Sequence, residues 1–438
     1  MALVGGQPVV VHCFMTLSPP TDVLRAFSLR EGIYVLGSLE RGVTVYSQQV
    51  RALNLACALE AAPKPQRIAV IGGGIAGLTF VAAALAKYPS VEVTLLERRA
   101  DLIPLQQAAD SRWLHPRIYD WPNADSTRPS ADLPVLNWSE GRASDVAHNL
   151  LLAFAKVTKP YSSRLRVFVG VEYLKIHSEL RTIQWIGSNT ELDLPFYRPS
   201  GSAGAEEVFD AVVLATGFGL ERQHSNFLTP SYWRNDTLAQ PSLETRNTKY
   251  VVSGTGDGGV IDLCRLRIER FRQDRIVNEL FNDVSEDKLR HWKVGCDREN
   301  ALVVFSALDG DLWPVSNRLR ARLRKDTIAL LHFNAGGANS LADAFGGKAS
   351  FLNKLLLFLL YRSGAFLPIT EDLATVVATH GIGEGRVICR HGANPAAHLL
   401  ALFQDSDAAK TALGKLEPGT QVAQPMWKLG FFPYAQDW

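Results

Sequence analysis

The chain has 438 residues, 47% hydrophobic and 21% charged, a globular composition that excludes disorder and predicts two or three domains. Lys plus Arg total 46 against 44 Asp plus Glu, and a formal net charge of +2 argues against a dedicated nucleic-acid binder. Cys13, Cys57, Cys264, Cys296 and Cys389 include no CxxC pair, so a disulfide framework, a zinc knuckle and a redox dithiol lack support, and no metal is expected.

In chain order, Val9 to Met15 is a short apolar run interrupted by His12, without a positive segment before it, so no signal peptide is expected. GVTVY, Gly42 to Tyr46, alternates like a strand, and Ser47 stands where an N-cap would precede a helix running to the PKP at Pro63 to Pro65. Residues 1–65 thus read as a strand–helix extension. RIAVIGGGIAGLTFVAAALAKY from Arg67 then reads as a buried strand, a glycine turn and a helix, and VEVTLLE as the next strand. Asp101 to Asn137 is irregular and carries Pro104, Pro116, Pro122, Pro129 and Pro134. Its length suggests a binding segment or lid, with an ordered surface excursion as the plain alternative.

RVFVGVEYLKIHS, TIQWI and FDAVVLATG read as strands of a small β insert, with an exposed turn at Ser200 to Gly204. KYVVSGTGDGGVIDLCRLRIERF repeats the order strand, glycine turn, helix. Residues 284–438 mix helices with one clear strand, GRVICRHG, and form a C-terminal cap for a substrate or a protein partner. Phe351 to Leu367 is broken by Asn353, Lys354, Tyr361 and Arg362, short of the about 20 apolar residues of a span. It reads as a buried helix. A cytoplasmic protein with no membrane contact is expected.

The strongest signal is GGGIAG. Gly72, Gly74 and Gly77 make a G-x-G-x-x-G between strand and helix, and Glu97 follows Gly77 by 20 residues, the spacing of a ribose-binding carboxylate. Gly72 permits the turn, Gly74 admits a pyrophosphate, and Gly77 allows helix to pack on strand. The helix N-terminus, with Gly73, Ile75 and Ala76, stabilises phosphate charge. Glu97 weighs against a 2′-phosphorylated ligand, although Arg98 adjoins it. The alternative is an ordinary glycine-rich turn.

With FDAVVLATGFG, Phe209 to Gly219, the chain resembles the two-dinucleotide-binding-domain flavoproteins, thioredoxin reductase-like and flavin-containing monooxygenase-like. The resemblance covers residues 67–100 and 205–262. It implies FAD at the first loop, with Thr216 and Gly217 where a strand ending in ATG crosses beside the cofactor. The expected fold is α/β: a Rossmann-like FAD-binding domain over 66–283 with a parallel sheet, the β insert, and a mixed C-terminal domain.

SGTGDGG, Ser253 to Gly259, has two readings. Gly254, Gly256 and Gly259 spell a second G-x-G-x-x-G, which in this family is the loop of an NAD(P)H domain. No strand with a terminal acid follows about 20 residues later. The other reading, preferred here, is the GD motif that closes the FAD domain and points Asp257 at the ribityl chain. Both place a cofactor beside Gly256 and Asp257.

The monooxygenase pattern F-x-G-x-x-x-H is absent. RWLHPRIYDWP, Arg112 to Pro122, is the best candidate outside the motifs: Arg112 to balance pyrophosphate or flavin charge, His115 as an acid or base. An aromatic loop anchored by Trp113 and Trp121 is the alternative. RHG, Arg390 to Gly392, is a weaker contributor to the same pocket. These residues point to an FAD-dependent oxidoreductase passing a hydride between non-covalent FAD and a small molecule or NAD(P)H. The rivals are a nucleotide sensor or scaffold without turnover and a maturation flavoenzyme acting on a partner protein.

Overall fold

The computed structural model describes residues 20–40, 42–193, 196–219, 221–244, 247–334, 341–346 and 349–433. Cys13 and the apolar run at Val9 lie outside them.

The chain opens with α1 (Pro20–Phe27), short strands β1 (Ser28–Arg30) and β2 (Ile33–Val35), and α2 (Val45–Ala58). The predicted strand at GVTVY is instead a cap. Thr44 Oγ1 accepts the Ser47 N–H at 3.0 Å while Ser47 Oγ accepts the Thr44 N–H at 2.9 Å, so Thr44 is the N-cap and Ser47 closes the box from inside α2. Burial of Tyr46 and Val50 overrides the strand propensity of Val and Tyr. β3 (Arg67–Ile71), α3 (Ile75–Lys87) and β4 (Glu92–Leu96) follow the predicted strand–turn–helix–strand.

The Pro-rich excursion holds β5 (Trp113–Leu114), paired with β6 (Gly141–Arg142), and leads to α4 (Ala143–Thr158). A meander of β7 (Leu165–His177), β8 (Thr182–Asp193) and β9 (Phe196–Val208) comes next, then β10 (Ala211–Leu214). Ser200 to Gly204 is not a turn. It lies within β9, where Ser202 and Gly204 pair with Ser188 and Ile186 of β8, because an antiparallel partner satisfies the backbone whatever the side chains.

A second series begins with β11 (Thr248–Ser253) and α5 (Asp257–Arg267). Four helices intervene, α6 (Gln273–Phe281), α7 (Glu286–Arg298), α8 (Ala301–Ala307) and α9 (Asp309–Arg320). Then come β12 (Thr327–His332), α10 (Phe351–Arg362), β13 (Phe366–Ile369), α11 (Leu373–His380) and β14 (Val387–Cys389), and lastly α12 (Pro395–Leu400) and α13 (Ser406–Leu413). Strands β12 and β13 escape sequence reading because short apolar runs look alike in buried strands and helices. The predicted apolar helix is α10, almost wholly buried.

The fold is α/β, with two sheets. One has the order β1-β2-β10-β3-β4-β7-β8-β9, parallel from β2 to β7 and antiparallel outside it. The other is wholly parallel, β13-β12-β11-β14. Within each, the third, second, first and fourth strands of a nucleotide-binding half stand side by side: β7-β4-β3-β10 and β13-β12-β11-β14. Alternation sends Ile68 and Val70 of β3 into one core with α3 and Ala69 and Ile71 into the other.

The units do not divide at the expected boundaries. β1 and β2 belong to the first sheet, and α2 packs on α3, so residues 20–65 are built into that unit rather than appended to it. The second sheet takes β11 from before residue 283 and β12 to β14 from after it. Residues 395–433 return to the first unit: Leu399, Phe403 and Leu413 join its core, and Gln421 accepts the Gly37 N–H. Among the described residues, no helix is long and apolar enough to cross a membrane.

Candidate functional site

The two glycine loops are the same construction built twice. After β3, Gly72 has φ +113° and its N–H donates to Leu96 O of β4 at 2.8 Å. After β11, Gly254 has φ +118° and donates to His332 O of β12 at 3.0 Å. A Cβ on Gly72 would overlap the Ala215 carbonyl, and one on Gly254 the Arg390 carbonyl. Both positions therefore need glycine for φ and for space. A Cβ on Gly77 or Gly259 would run into the carbonyl of Gly72 or Gly254. Around Gly74 and Gly256, which cap α3 and α5, a Cβ would meet nothing within 4 Å. That open space lies at the positive end of each helix, where a phosphate is stabilised by free N–H groups.

These contacts give a direct forecast. Gly77→Ala and Gly259→Ala should each cost about 1–3 kcal/mol by overpacking backbone on backbone, read as a lower denaturant midpoint. An unchanged midpoint would mean that the close packing is not required.

The equivalence extends to the neighbouring strands. Glu97 donates its N–H to Phe168 O, and Phe333 donates to Ile369 O, so Phe333 stands in the second unit where Glu97 stands in the first. Likewise Ala215 donates to Ile71 O and Arg390 to Ser253 O. The triplet Ala215-Thr216-Gly217 is thus matched by Arg390-His391-Gly392, with Gly217 at φ +66° and Gly392 at φ +74°. RHG is the second unit's own crossing, rather than part of the first pocket.

In the first loop, the Glu97 carboxylate accepts the N–H of Gly73 at 2.6 Å and of Arg99 at 2.7 Å and is buried. Its remaining lone pairs suit a ribose diol. Arg98 is exposed beside it. Thr216 Oγ1 is buried with no hydrogen-bond partner among the described residues. An open glycine, a helix N-terminus, a held carboxylate and an orphaned hydroxyl fit a dinucleotide.

The second loop keeps the open glycine at a helix N-terminus and loses the carboxylate, since Phe333 is apolar and buried. Asp257 is engaged elsewhere: its Oδ1 accepts the Ser350 N–H at 2.8 Å and Asn353 Nδ2 at 2.6 Å, tying α5 to the start of α10. Both bonds fall on one oxygen and hold the Asp257 carboxylate against α10. β11 lies in a separate sheet, with its own second, third and fourth strands, as the NAD(P)H-domain reading requires.

The excursion from Asp101 is a bracket between the units. Leu102, Ile103, Leu133, Val135 and Leu136 are buried in the first core, while Ile118 and Trp121 enter the second. Trp121 lies against Phe281 and Phe351, ring centroids 5.1 and 5.7 Å away. Ile103 also donates its N–H to Gly73 O, so the bracket starts at the first loop.

Arg112 is not free to balance a cofactor. Its guanidinium pairs with Asp262 of α5 at 2.5 Å and Asp236 at 3.1 Å, and lies 3.9 Å over the Tyr232 ring. Arg265 and Arg390 bond the same Asp262, at 3.1 and 2.9 Å, and Arg390 also bonds Glu221 at 2.9 Å. Three arginines meet three carboxylates. Burial works to raise the Asp262 pKa, but Arg112 and Arg390 outweigh it and hold the carboxyl below its ordinary range. His115 is likewise enclosed: Nδ1 accepts the Arg117 N–H at 3.2 Å, Nε2 lies 3.6 Å from Glu140, and burial lowers its pKa, leaving it neutral at pH 7. Neither side chain meets the first glycine loop in any hydrogen bond or ion pair among the described residues.

Residues 38–118, which contain the first loop, match the pyridine nucleotide-disulphide oxidoreductase family. The matched stretch runs from just after β2 through the first glycine loop, β4 and the start of the bracket, and leaves the second sheet outside it. Among solved structures, the HOCl-induced flavoprotein disulfide reductase RclA of Escherichia coli is similar at 14% identity and TM-score 0.17, over 44% of this chain and 26% of that one. L-lysine 6-monooxygenase of Pseudomonas syringae is similar at 17% identity and TM-score 0.22, over 50% and 45%. The ornithine hydroxylase PvdA of Pseudomonas aeruginosa is similar at 19% identity and TM-score 0.22, over 46% and 43%. The chain therefore spans less than half the length of each of these proteins. No curated protein matches it.

Sequence reading missed Asp262 and Asp236 as partners of Arg112, and Phe333 as the counterpart of Glu97. The signal for Phe333 was hidden by the helices α6 to α9, which separate the second loop from its second strand.

Proposed function

We propose that the chain is an FAD-dependent oxidoreductase that holds FAD non-covalently at the first loop and receives NAD(P)H at the second. The observation that carries this reading is the residue-by-residue equivalence of the two loops, each ending a first strand flanked by its own second and fourth strands. Gly72 to Gly77 would cradle the FAD diphosphate, Glu97 its ribose, and Thr216 would supply a hydroxyl to the crossing. Flavin supplies hydride acceptance and donation; the protein's share is to bind, orient and exclude water. The bracket 101–137, packed on both units, sets the distance between the two nucleotides. Gly256 and Gly254 would hold the nicotinamide nucleotide, with Asp257 keeping α5 in place rather than touching the ligand. The substrate is a small molecule.

Anaerobic addition of NADH or NADPH to purified yellow protein should bleach the flavin band, and heating should release FAD. Yellow protein that neither nucleotide bleaches would favour a scaffold without turnover. Colourless protein that takes up no added FAD would end the reading.

A further inference from the structure

We propose that His391 is a ligand-contacting residue of the second dinucleotide site, oriented by Ser253 and His332, and that its protonated ring meets the diphosphate of a nicotinamide nucleotide. The assignment rests on the reading of the second loop as a nucleotide site. His391 occupies the place of Thr216 in the matched crossings, beside a glycine loop of the same geometry. Ligands of such sheets sit outside the carboxyl ends of the strands, where the order reverses. Here that point lies between β11 and β14, and both Ser253 and His391 stand at it.

The hydrogen bonds dictate the proton arrangement. Ser253 Oγ lies 2.7 Å from His332 Nδ1 and 2.7 Å from His391 Nε2. A hydroxyl has one proton, so it donates to one ring and accepts from the other. His332 is also bonded by the Glu371 backbone in the sense that favours its protonated nitrogen, which leaves Nδ1 to accept from Ser253. Ser253 then accepts from His391 Nε2–H. The other nitrogen of His391, Nδ1, has no hydrogen bond among the described residues, and the residue is exposed. In neutral His391 that nitrogen carries a lone pair and offers nothing to a phosphate. Protonation converts it into a charged donor.

The surroundings keep the free ring neutral. Partial burial, His224, His332 and Arg222 all lower the pKa of the half-exposed His391, and the His224 ring centroid is 5.7 Å away. Arg390, next in sequence, is turned to Asp262 and Glu221, and the acids Glu371 and Asp372 act on His332. An incoming diphosphate raises the His391 pKa, so binding takes up a proton and tightens as pH falls.

The test is calorimetric titration of the FAD-loaded full chain with NADH and with NADPH, between about pH 5.5 and 8.5, in buffers of different ionisation enthalpy. Wild-type protein should take up a proton on binding. His391→Gln should abolish the uptake and weaken binding at the acid end roughly tenfold. His391→Thr, which installs the residue of the first crossing, should bind with a flat pH profile, and His224→Gln should keep the uptake. Equal uptake in wild type and His391→Gln, or uptake lost in His224→Gln and kept in His391→Gln, overturns the assignment and leaves the second loop a nucleotide site. Failure of wild type to bind either nucleotide at any pH removes the second-loop reading itself, and His391 with it.

Discussion

Asp262→Ala is expected to destabilise the protein by about 3–5 kcal/mol, because it strips a shared counter-ion from Arg112, Arg265 and Arg390 and leaves buried positive charge. Asp262 is fully enclosed, and the three arginine side chains are 2–7% exposed, so water cannot take over. The loss spans both units. Arg112 belongs to the bracket, Asp262 and Arg265 to α5, and Arg390 to the strand end whose carbonyl lies on Gly254. Denaturant melts should show the fall. The pH dependence follows from the sign: the folded pKa of Asp262 is depressed, so its contribution is complete above the unfolded carboxylate range and disappears as pH falls through the folded value. Asp262→Ala should therefore flatten the acid limb of stability against pH. A melt and an acid limb like wild type would show that the cluster contributes no stability.

Gly74→Val is expected to give folded, colourless protein. A Cβ there touches no protein atom within 4 Å, so the fold loses little more than a cap preference of about 1 kcal/mol. The branched side chain fills the space a diphosphate needs. Gly256→Val is the matched experiment in the second loop, where the surroundings are equally open. It should keep the flavin spectrum and lose bleaching by NAD(P)H. Absorbance of the purified variants, followed by FAD titration, reads both. Retention of FAD by Gly74→Val would remove the first-loop assignment. Loss of FAD from Gly256→Val would return SGTGDGG to the flavin.

Much of this was legible in residue order because it is local. A strand, a glycine turn and a helix are contiguous, and the carboxylate of Glu97 falls one strand later, so the first strand–turn–helix unit and the acid that braces its loop can be read directly. The same locality exposed SGTGDGG as a loop of the same type. What residue order left open was which sheet that loop serves. Its second strand begins only at Thr327, after four helices, and parallel pairing links residues far apart in the chain without a local signature.

Arg112 and His115 show the complementary limit. A loop rich in charge and aromatics reads as a candidate site, because side-chain chemistry is visible and partners are not. Asp262 lies 150 residues from Arg112, and their ion pair converts a would-be catalytic cation into part of a clasp. The sequence by itself determined an α/β chain with two glycine turns of one type, since glycine spacing and strand periodicity are short-range facts of covalent geometry. Only the tertiary structure decided that each turn heads its own sheet, that Phe333 replaces Glu97, and that His391 faces the second loop, because those are pairings made by packing distant segments against one another.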